Sequence, residues 1–324
     1  MRVPFEGLEG LDMNGPDQNR SGRLKLRDHG GPIAVMVLLA MVAGVAVYCL
    51  TASSPANATL HQPGVHGSAP SHGRLSSVQW TTVFDDNFSG TADSSLGPSW
   101  RVYTGTGIGI GQFVDSSSVV HVDGQGHLVV GATESPEGWL SGEVETTHAY
   151  MPGPGQEMLV ESRIELPAGG RGYWPAFWGL GVPAVTNPKA APMAGEDDFA
   201  ETINNDPWVG QFMHCGISNR DGPCGLGTQV ETPLGVPSGD SGWHVYSWLW
   251  CNKGSNSYVA FYIGNTLEMK VTEQQIGEKY WTLSFDHPYV FIYDLAIGGW
   301  ASPPGPSTAS SSSMKVDYLR IEIS

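Results

Sequence analysis

Apolar and polar side chains alternate through residues 159–166. Val160, Ser162, Ile164 and Leu166 fall on one face, and Glu161, Arg163 and Glu165 on the other, the period of a strand with one buried face. Residues 315–323 alternate in the same way. Residues 289–296 form an apolar, aromatic run, as expected of a strand covered on both faces. Phe261-Tyr262-Ile263, then Gly264-Asn265, then Thr266-Leu267 predicts two strands joined by a tight turn. Helical periodicity is nearly absent, and residues 272–278 are the one short helix predicted. Short strands broken by many of the 43 Gly and 23 Pro predict an all-β fold, a large antiparallel sandwich or barrel.

A different pattern marks the beginning of the chain. Residues 33–50 are apolar and uncharged, and Arg20, Arg23, Lys25 and Arg27 precede them. Basic residues before an apolar run keep that side in the cytoplasm, so the remainder is expected outside. Ala56-Asn57-Ala58 offers small residues where a signal peptidase cuts. The run therefore reads as a cleaved signal peptide or as a signal anchor, and both remain open. The chain divides into a basic-flanked tail (1–32), the apolar segment (33–50), a flexible Ser/Pro/Gly/His linker (51–79) and a folded body (80–324). The expected location is extracellular, with a membrane-anchored form as the alternative. No internal repeat is visible.

Charge narrows the partners. The net charge is -16, and basic and acidic residues balance before position 59, so the whole excess lies in the body. Such a surface repels nucleic acid and suits a neutral or cationic ligand. The 11 Trp exceed ordinary core needs, which points to a binding surface for some of them. Four cysteines occur, with Cys49 inside the apolar run. Cys215 and Cys224 enclose a Gly/Asn/Pro loop and are the expected disulfide, leaving Cys251 as a thiol. No CxxC pair exists, which argues against zinc.

Gly195-Glu196-Asp197-Asp198-Phe199-Ala200-Glu201 is the candidate site. Glycosidic cleavage needs two carboxyl groups flanking the bond. Glu196 and Asp198 are two apart and share a strand face. Glu201 joins them only if one residue near Phe199-Ala200 is bulged. Glu196 and Glu201 would then span roughly 13 Å between Cα atoms, which leaning side chains can reduce to the ~5–5.5 Å of a retaining pair. Two other readings stand beside this one. The acids could form a solvated loop, or an unbulged strand could align Asp197, Phe199 and Glu201.

Tyr173-Trp174-Pro175-Ala176-Phe177-Trp178-Gly179-Leu180-Gly181, followed by Glu-x-Asp-x-x-Glu at 196–201, resembles the laminarinase-type branch of family-16 glycoside hydrolases. Phe84-Asp85-Asp86-Asn87-Phe88-Ser89-Gly90, Arg163-Ile164-Glu165-Leu166-Pro167, Met213-His214-Cys215-Gly216, Leu295-Ala296-Ile297-Gly298-Gly299-Trp300 and Met314 to Ile321 continue it in order. The resemblance implies a β-jelly-roll sandwich of two antiparallel sheets with a concave cleft. It implies retaining cleavage of β-1,3- or mixed β-1,3/1,4-glucans. By motif, Glu196 resembles the nucleophile, Asp198 its electrostatic helper and Glu201 the acid/base. Trp174, Trp178 and Trp300 are implied sugar platforms, with core packing as the ordinary alternative. His214 is implied to touch sugar hydroxyls or the carboxylates, with a structural role as its alternative.

Two departures stand out. Asp197 occupies a position that is usually apolar in the family, where an unpaired buried carboxylate is costly. The opening strand has Asn87 where the family commonly carries a Glu associated with a structural calcium, although Asp317 is kept. No cofactor is expected, with a structural calcium as the alternative. The expected partner is a polysaccharide, a β-glucan, met by a monomer, with membrane contact only through residues 33–50. Two further functions fit the same residues: a non-catalytic β-glucan-binding protein, if Asp197 disturbs the bulge, and a glucan transglycosylase.

Overall fold

The computed structural model describes residues 79–206, 208–216, 223–224, 229–233 and 242–324. The expected tail, apolar segment and linker, through residue 78 and including Cys49, lie outside the described residues.

The described strands form two sheets. The larger has eleven strands, and its central path runs Thr266–Thr272, Tyr258–Ile263, Trp243–Cys251, Glu157–Glu165, Ser311–Ile323, Leu128–Ser135 and Gly138–Ser141. The smaller has seven: Gln229–Pro233, Gly210–His214, Glu196–Glu201, Tyr173–Gly181, Tyr289–Ile297, Glu143–Thr146 and Trp100–Val102. Neighbours pair antiparallel, apart from the short parallel ladder of Gln112–Phe113 on Gly138–Ser141. The sheets pack as a jelly-roll sandwich around one aromatic core.

Alternation accounts for that core. Val160, Ser162 and Ile164 are fully buried from the larger sheet, and Tyr289, Phe291, Tyr293, Leu295 and Ile297 from the smaller. Tyr293 stacks on Phe177 with ring centroids 4.6 Å apart. Each such side chain contributes about 1.5–3 kcal/mol by leaving water. Ser162, a polar residue on the buried face, has a structural reason. It accepts from the Tyr293 hydroxyl across the sheets at 2.8 Å and donates to the Tyr318 carbonyl at 2.8 Å. The other face of Tyr289–Ile297 is covered too, because Val290 and Ile292 join Leu180, Ala184 and Ala194 in a smaller cluster.

Three elements depart from the sequence pattern, one of them the unpredicted short helix Val182–Thr186. The alternation over 315–323 slips at Asp317, where the register against Glu157–Glu165 shifts between Val316 and Tyr318. The single short helix expected over 272–278 is two helices. Thr272 caps the first, Glu273–Ile276, in a reciprocal capping box with Gln275. Gly277, at φ 85°, turns the chain into the second, Glu278–Phe285. That second helix has too few turns to show a period, and it buries Trp281 and Phe285. Phe285 packs 5.3 Å from Trp250 and 5.8 Å from Tyr289. Cys215 and Cys224 form a disulfide, and Cys251 is a buried free thiol.

Candidate active site

The acidic segment forms the strand Glu196–Glu201 in the middle of the smaller sheet, and it carries a bulge. Against Tyr173–Gly181, Trp178 faces Asp198 but Phe177 already faces Ala200, so Phe199 is the extra residue. The ladder to Gly210–His214 slips in the same interval, between Asp198 and Glu201. Directly paired residues share a face. Ala176 and Trp178 lie two apart on one face, so their partners Glu201 and Asp198 do as well. Glu196 joins them, while Asp197 and Phe199 point into the core at 0% exposure. The unbulged register that would align Asp197 with Glu201 does not occur, and the segment is not a solvated loop.

A bulge leaves a backbone carbonyl without a ladder partner. Here the buried Gln211 side chain donates its Nε2 to the Phe199 carbonyl at 2.9 Å. Phe199 itself is gripped by Phe177 at 4.9 Å and Trp248 at 5.3 Å between centroids. The strand also enters through a position that only glycine suits. Gly195 sits at φ 76°, and a Cβ there would lie 2.0 Å from the Tyr289 hydroxyl.

The three acids differ in environment. Glu196 is the most open, with 29% of its side chain exposed against 7% for Asp198. Glu201 is buried and accepts a hydrogen bond from Trp174 Nε1. Burial raises the Glu201 carboxyl well above the usual range, the Asp198 charge adds to this, and the indole N–H pulls the other way. His214 lies across the ladder from Glu196, its Nε2 3.2 Å from Asp198 and 3.9 Å from Glu196. Burial alone would lower His214. The hydrogen bond to Asp198 and the charges of Glu196, Asp198 and Glu201 outweigh burial and raise it to about 9. Below about pH 9 a partly buried imidazolium therefore faces the carboxylates, and Glu201 holds its proton more tightly than an ordinary carboxyl.

Glu196, Asp198 and His214 bring ligand-type atoms within 4.8 Å of one another. Within this trio the His214 Nε2 lies 3.2 Å from Asp198, which holds the imidazole by a hydrogen bond. The positions linked to calcium by family resemblance fit an ion poorly. Asn87 Oδ1 accepts from Ser89, and Asp317 is paired with the Arg163 guanidinium at 2.8 Å.

Three tryptophans line the cleft face differently. Trp174 is half-buried beside Glu201, and Trp300, 51% exposed, meets it edge-on at 5.8 Å. Trp300 also meets Phe212 edge-on at 5.9 Å. Trp178 leans on the Leu180, Val290 and Ile292 cluster and donates Nε1 to Asp294 Oδ1 at 2.9 Å. Asp294, paired across the ladders with Ala176 and Glu143, continues the row of acids from Glu201. Burial raises Asp294 well above the usual range, and the Glu143 charge adds to it.

Gln211 and Asp294 were not among the residues singled out from sequence. Each had a signal, since one is an amide and the other an acid inside an apolar strand. Asp197, treated as a threat to the bulge, lies beneath it. Neither of its oxygens has a hydrogen-bond donor in place. The Tyr289 hydroxyl stands beside it, but its proton goes to the Ser284 carbonyl at 2.9 Å. Burial first, then the Asp198 charge, raises Asp197 well above the usual carboxylate range. Burial thus favours the neutral form, and the strand keeps its bulged register above it.

No family model matches the chain. It is 31% identical over 175 residues to keratan-sulfate endo-1,4-beta-galactosidase of Sphingobacterium multivorum, covering 52% of this chain and 38% of that protein. It is 30% identical over 172 residues to glucan endo-1,3-beta-glucosidase A1 of Niallia circulans, covering 50% and 24%. The match thus spans well under half the length of either relative. Among solved structures, an endo-1,3-beta-glucanase from Streptomyces sioyaensis superposes with a TM-score of 0.70 at 30% identity, over 75% of this chain and 96% of that one. An endo-beta-1,3-glucanase from Pyrococcus furiosus gives 0.60 at 26% identity, over 75% and 94%.

Proposed function

The chain belongs to the laminarinase-type branch of family-16 glycoside hydrolases, and from that premise we propose that it hydrolyses β-1,3- or mixed β-1,3/1,4-glucans with retention at the anomeric carbon. The observation that carries the proposal is the bulge. It sets Glu196, Asp198 and Glu201 on one cleft face, with a tryptophan N–H already on Glu201.

The chemistry follows from the three environments. Glu196, the most open carboxylate, attacks the anomeric carbon. Glu201, held protonated by burial, gives its proton to the departing glycosidic oxygen. The sugar is then an ester of Glu196. Glu201, now a carboxylate, takes a proton from water as that water attacks the same carbon and frees Glu196. Two inversions give net retention. Asp198 and the His214 imidazolium hold the charge beside the nucleophile, so the two glutamates keep opposite protonation states. Trp174 and Trp300 supply ring faces against the sugar.

Charge favours a neutral glucan over a sulfated glycan such as the one named for the Sphingobacterium relative. A cleft rich in acids on a body of net charge -16 repels sulfate. We further propose that the domain works outside the cell as a monomer, without a resident metal, exported or anchored by residues 33–50. The Cys215–Cys224 disulfide supports an oxidising compartment.

Product analysis on laminarin, lichenan, agarose, xyloglucan and keratan sulfate side by side tests the reading. Sugar release from laminarin or lichenan is expected, with Glu196→Gln and Glu201→Gln inactive but folded. Full activity in both variants overturns it, and binding without release would make the domain a glucan-binding module. Products longer than the substrate would make it a transglycosylase.

A further inference from the structure

Gly298 and Gly299, at φ 74° and 70°, present bare backbone. A Cβ on Gly299 would lie 3.0 Å from the Trp174 ring and 3.2 Å from the Gly109 backbone. A Cβ on Gly298 would lie 3.4 Å from Ile110. The two glycines therefore let the loop at 107–111 lie against the end of the cleft, where the Ile110 amide donates to the Ile297 carbonyl at 2.8 Å. Ile108 and Ile110 are nevertheless 51% and 58% exposed. Both stand next to the binding cleft, where exposed apolar surface is available to a ligand.

Ile110 forms one border of a groove of about 380 Å³, lined further by Glu134, Trp139, Pro303, Pro304 and Thr308. The wall at 302–309 is tied down on several sides. Asn204 Oδ1 accepts from the amides of both Gly172 and Ser302, each at 3.0 Å. Arg171 Nε donates to the Pro303 carbonyl at 2.8 Å, and Thr308 Oγ1 donates to the Arg171 carbonyl at 2.7 Å. Trp139 is half-buried and braced edge-on against Tyr173 at 5.8 Å. The groove is thus preformed, the usual state of a ligand site.

We propose that this groove is a second glycan-binding site, which holds a further stretch of a neutral β-glucan chain that runs on from the Trp300 end of the cleft. This rests on the β-glucan reading of the cleft. The lining selects the ligand class. One indole and two pyrrolidine rings offer flat apolar surface, while a carboxylate and a hydroxyl offer partners for sugar hydroxyls. The lining side chains include no cation, which disfavours anionic ligands. Gly299 lies against the Trp174 ring and Gly298 against Ile110, which borders the groove, so the two places adjoin and a single polymer can reach both. The groove contains no pair of acids, so it holds the chain and does not cut it.

Steady-state kinetics on laminarin and on laminaritriose separate the site from the cleft. Trp139→Ala should raise KM on laminarin about two- to tenfold, the worth of one ring contact, and leave laminaritriose unchanged. Trp139→Phe should restore most of the loss. Ile110→Asp changes an exposed side chain without touching the core and should act like Trp139→Ala. Unchanged laminarin kinetics in both Trp139→Ala and Ile110→Asp overturn the proposal. Equal losses on both substrates in Trp139→Ala mark a folding defect, and Ile110→Asp then decides. If the wild type cleaves neither substrate, the hydrolase reading fails separately. Retention on laminarin affinity gels then tests the groove, which stands only if Trp139→Ala loses retention relative to wild type.

Discussion

Replacing Asp197 by Asn should make the protein progressively more stable than wild type as pH rises. Asp197 is wholly buried with no donor in place for either oxygen, so the native protein holds it protonated. In the unfolded chain the same carboxyl ionises near pH ~3.9. Above that pH the native state binds one more proton than the unfolded state, so wild-type stability falls with pH. The slope is about 1.4 kcal/mol per pH unit, and it continues until the native carboxyl itself ionises. Asn has nearly the same shape and does not titrate, so any packing or hydrogen-bonding penalty it carries is constant with pH. Two pH units inside the window should therefore shift the stability difference toward the variant by about 2.7 kcal/mol. Urea unfolding of both proteins across pH 4–7, followed by tryptophan fluorescence, gives that difference directly, and the titration of every other group cancels. A difference that stays flat across the series would mean that Asp197 is ionised in the native state, and the account of the buried face of the strand would be wrong.

Gln211→Met keeps the core volume but strips the donor from the Phe199 carbonyl. It should cost about 1–3 kcal/mol in chemical denaturation and lower activity through Glu201, whereas unchanged stability would show that the bulge does not depend on Gln211. Trp174→Phe keeps a ring but removes the N–H from Glu201. It should lower kcat about 10- to 100-fold and move the limb of the pH–rate profile that reports Glu201 upward, and an unmoved limb would refute the hydrogen bond's role. With His214 raised to about 9, its pairing stabilises the fold fully below pH ~6.5 and is lost as pH rises through 9. His214→Gln should therefore cost up to about 3 kcal/mol at pH 6 and little above pH 9.5, and a penalty that does not shrink with pH would contradict the charged imidazole.

Much of the site was legible because strand geometry is a parity rule. Spacings of two and three among Glu196, Asp198 and Glu201 cannot share a face without one extra residue, so a bulge near Phe199-Ala200 could be predicted, and it falls at Phe199. Its support could not. Gln211 reaches Phe199 only because Gly210–His214 lies beside Glu196–Glu201, and strand adjacency is absent from local pattern. Asp294 was hidden for the same reason, since it lies two ladders from the acids' own strand and meets them only through Trp178 on the strand between. The helix Glu278–Phe285 was missed because its aromatic residues serve the tertiary core more than a helical period. Asp197 was read correctly as a buried acid, but its consequence was misjudged. Neutralised by burial, it presses on no register, and the main support for a non-catalytic protein falls with it.

The central claim is that Glu196 forms the covalent bond to the sugar. Incubating the enzyme with a 2-deoxy-2-fluoro β-laminaribiosyl fluoride and mapping the modified peptide by mass spectrometry tests this directly. One glycosylated peptide is expected, with the sugar on Glu196. A label on Asp198, on Glu201 or elsewhere, or turnover of laminarin with no label trapped, would contradict it.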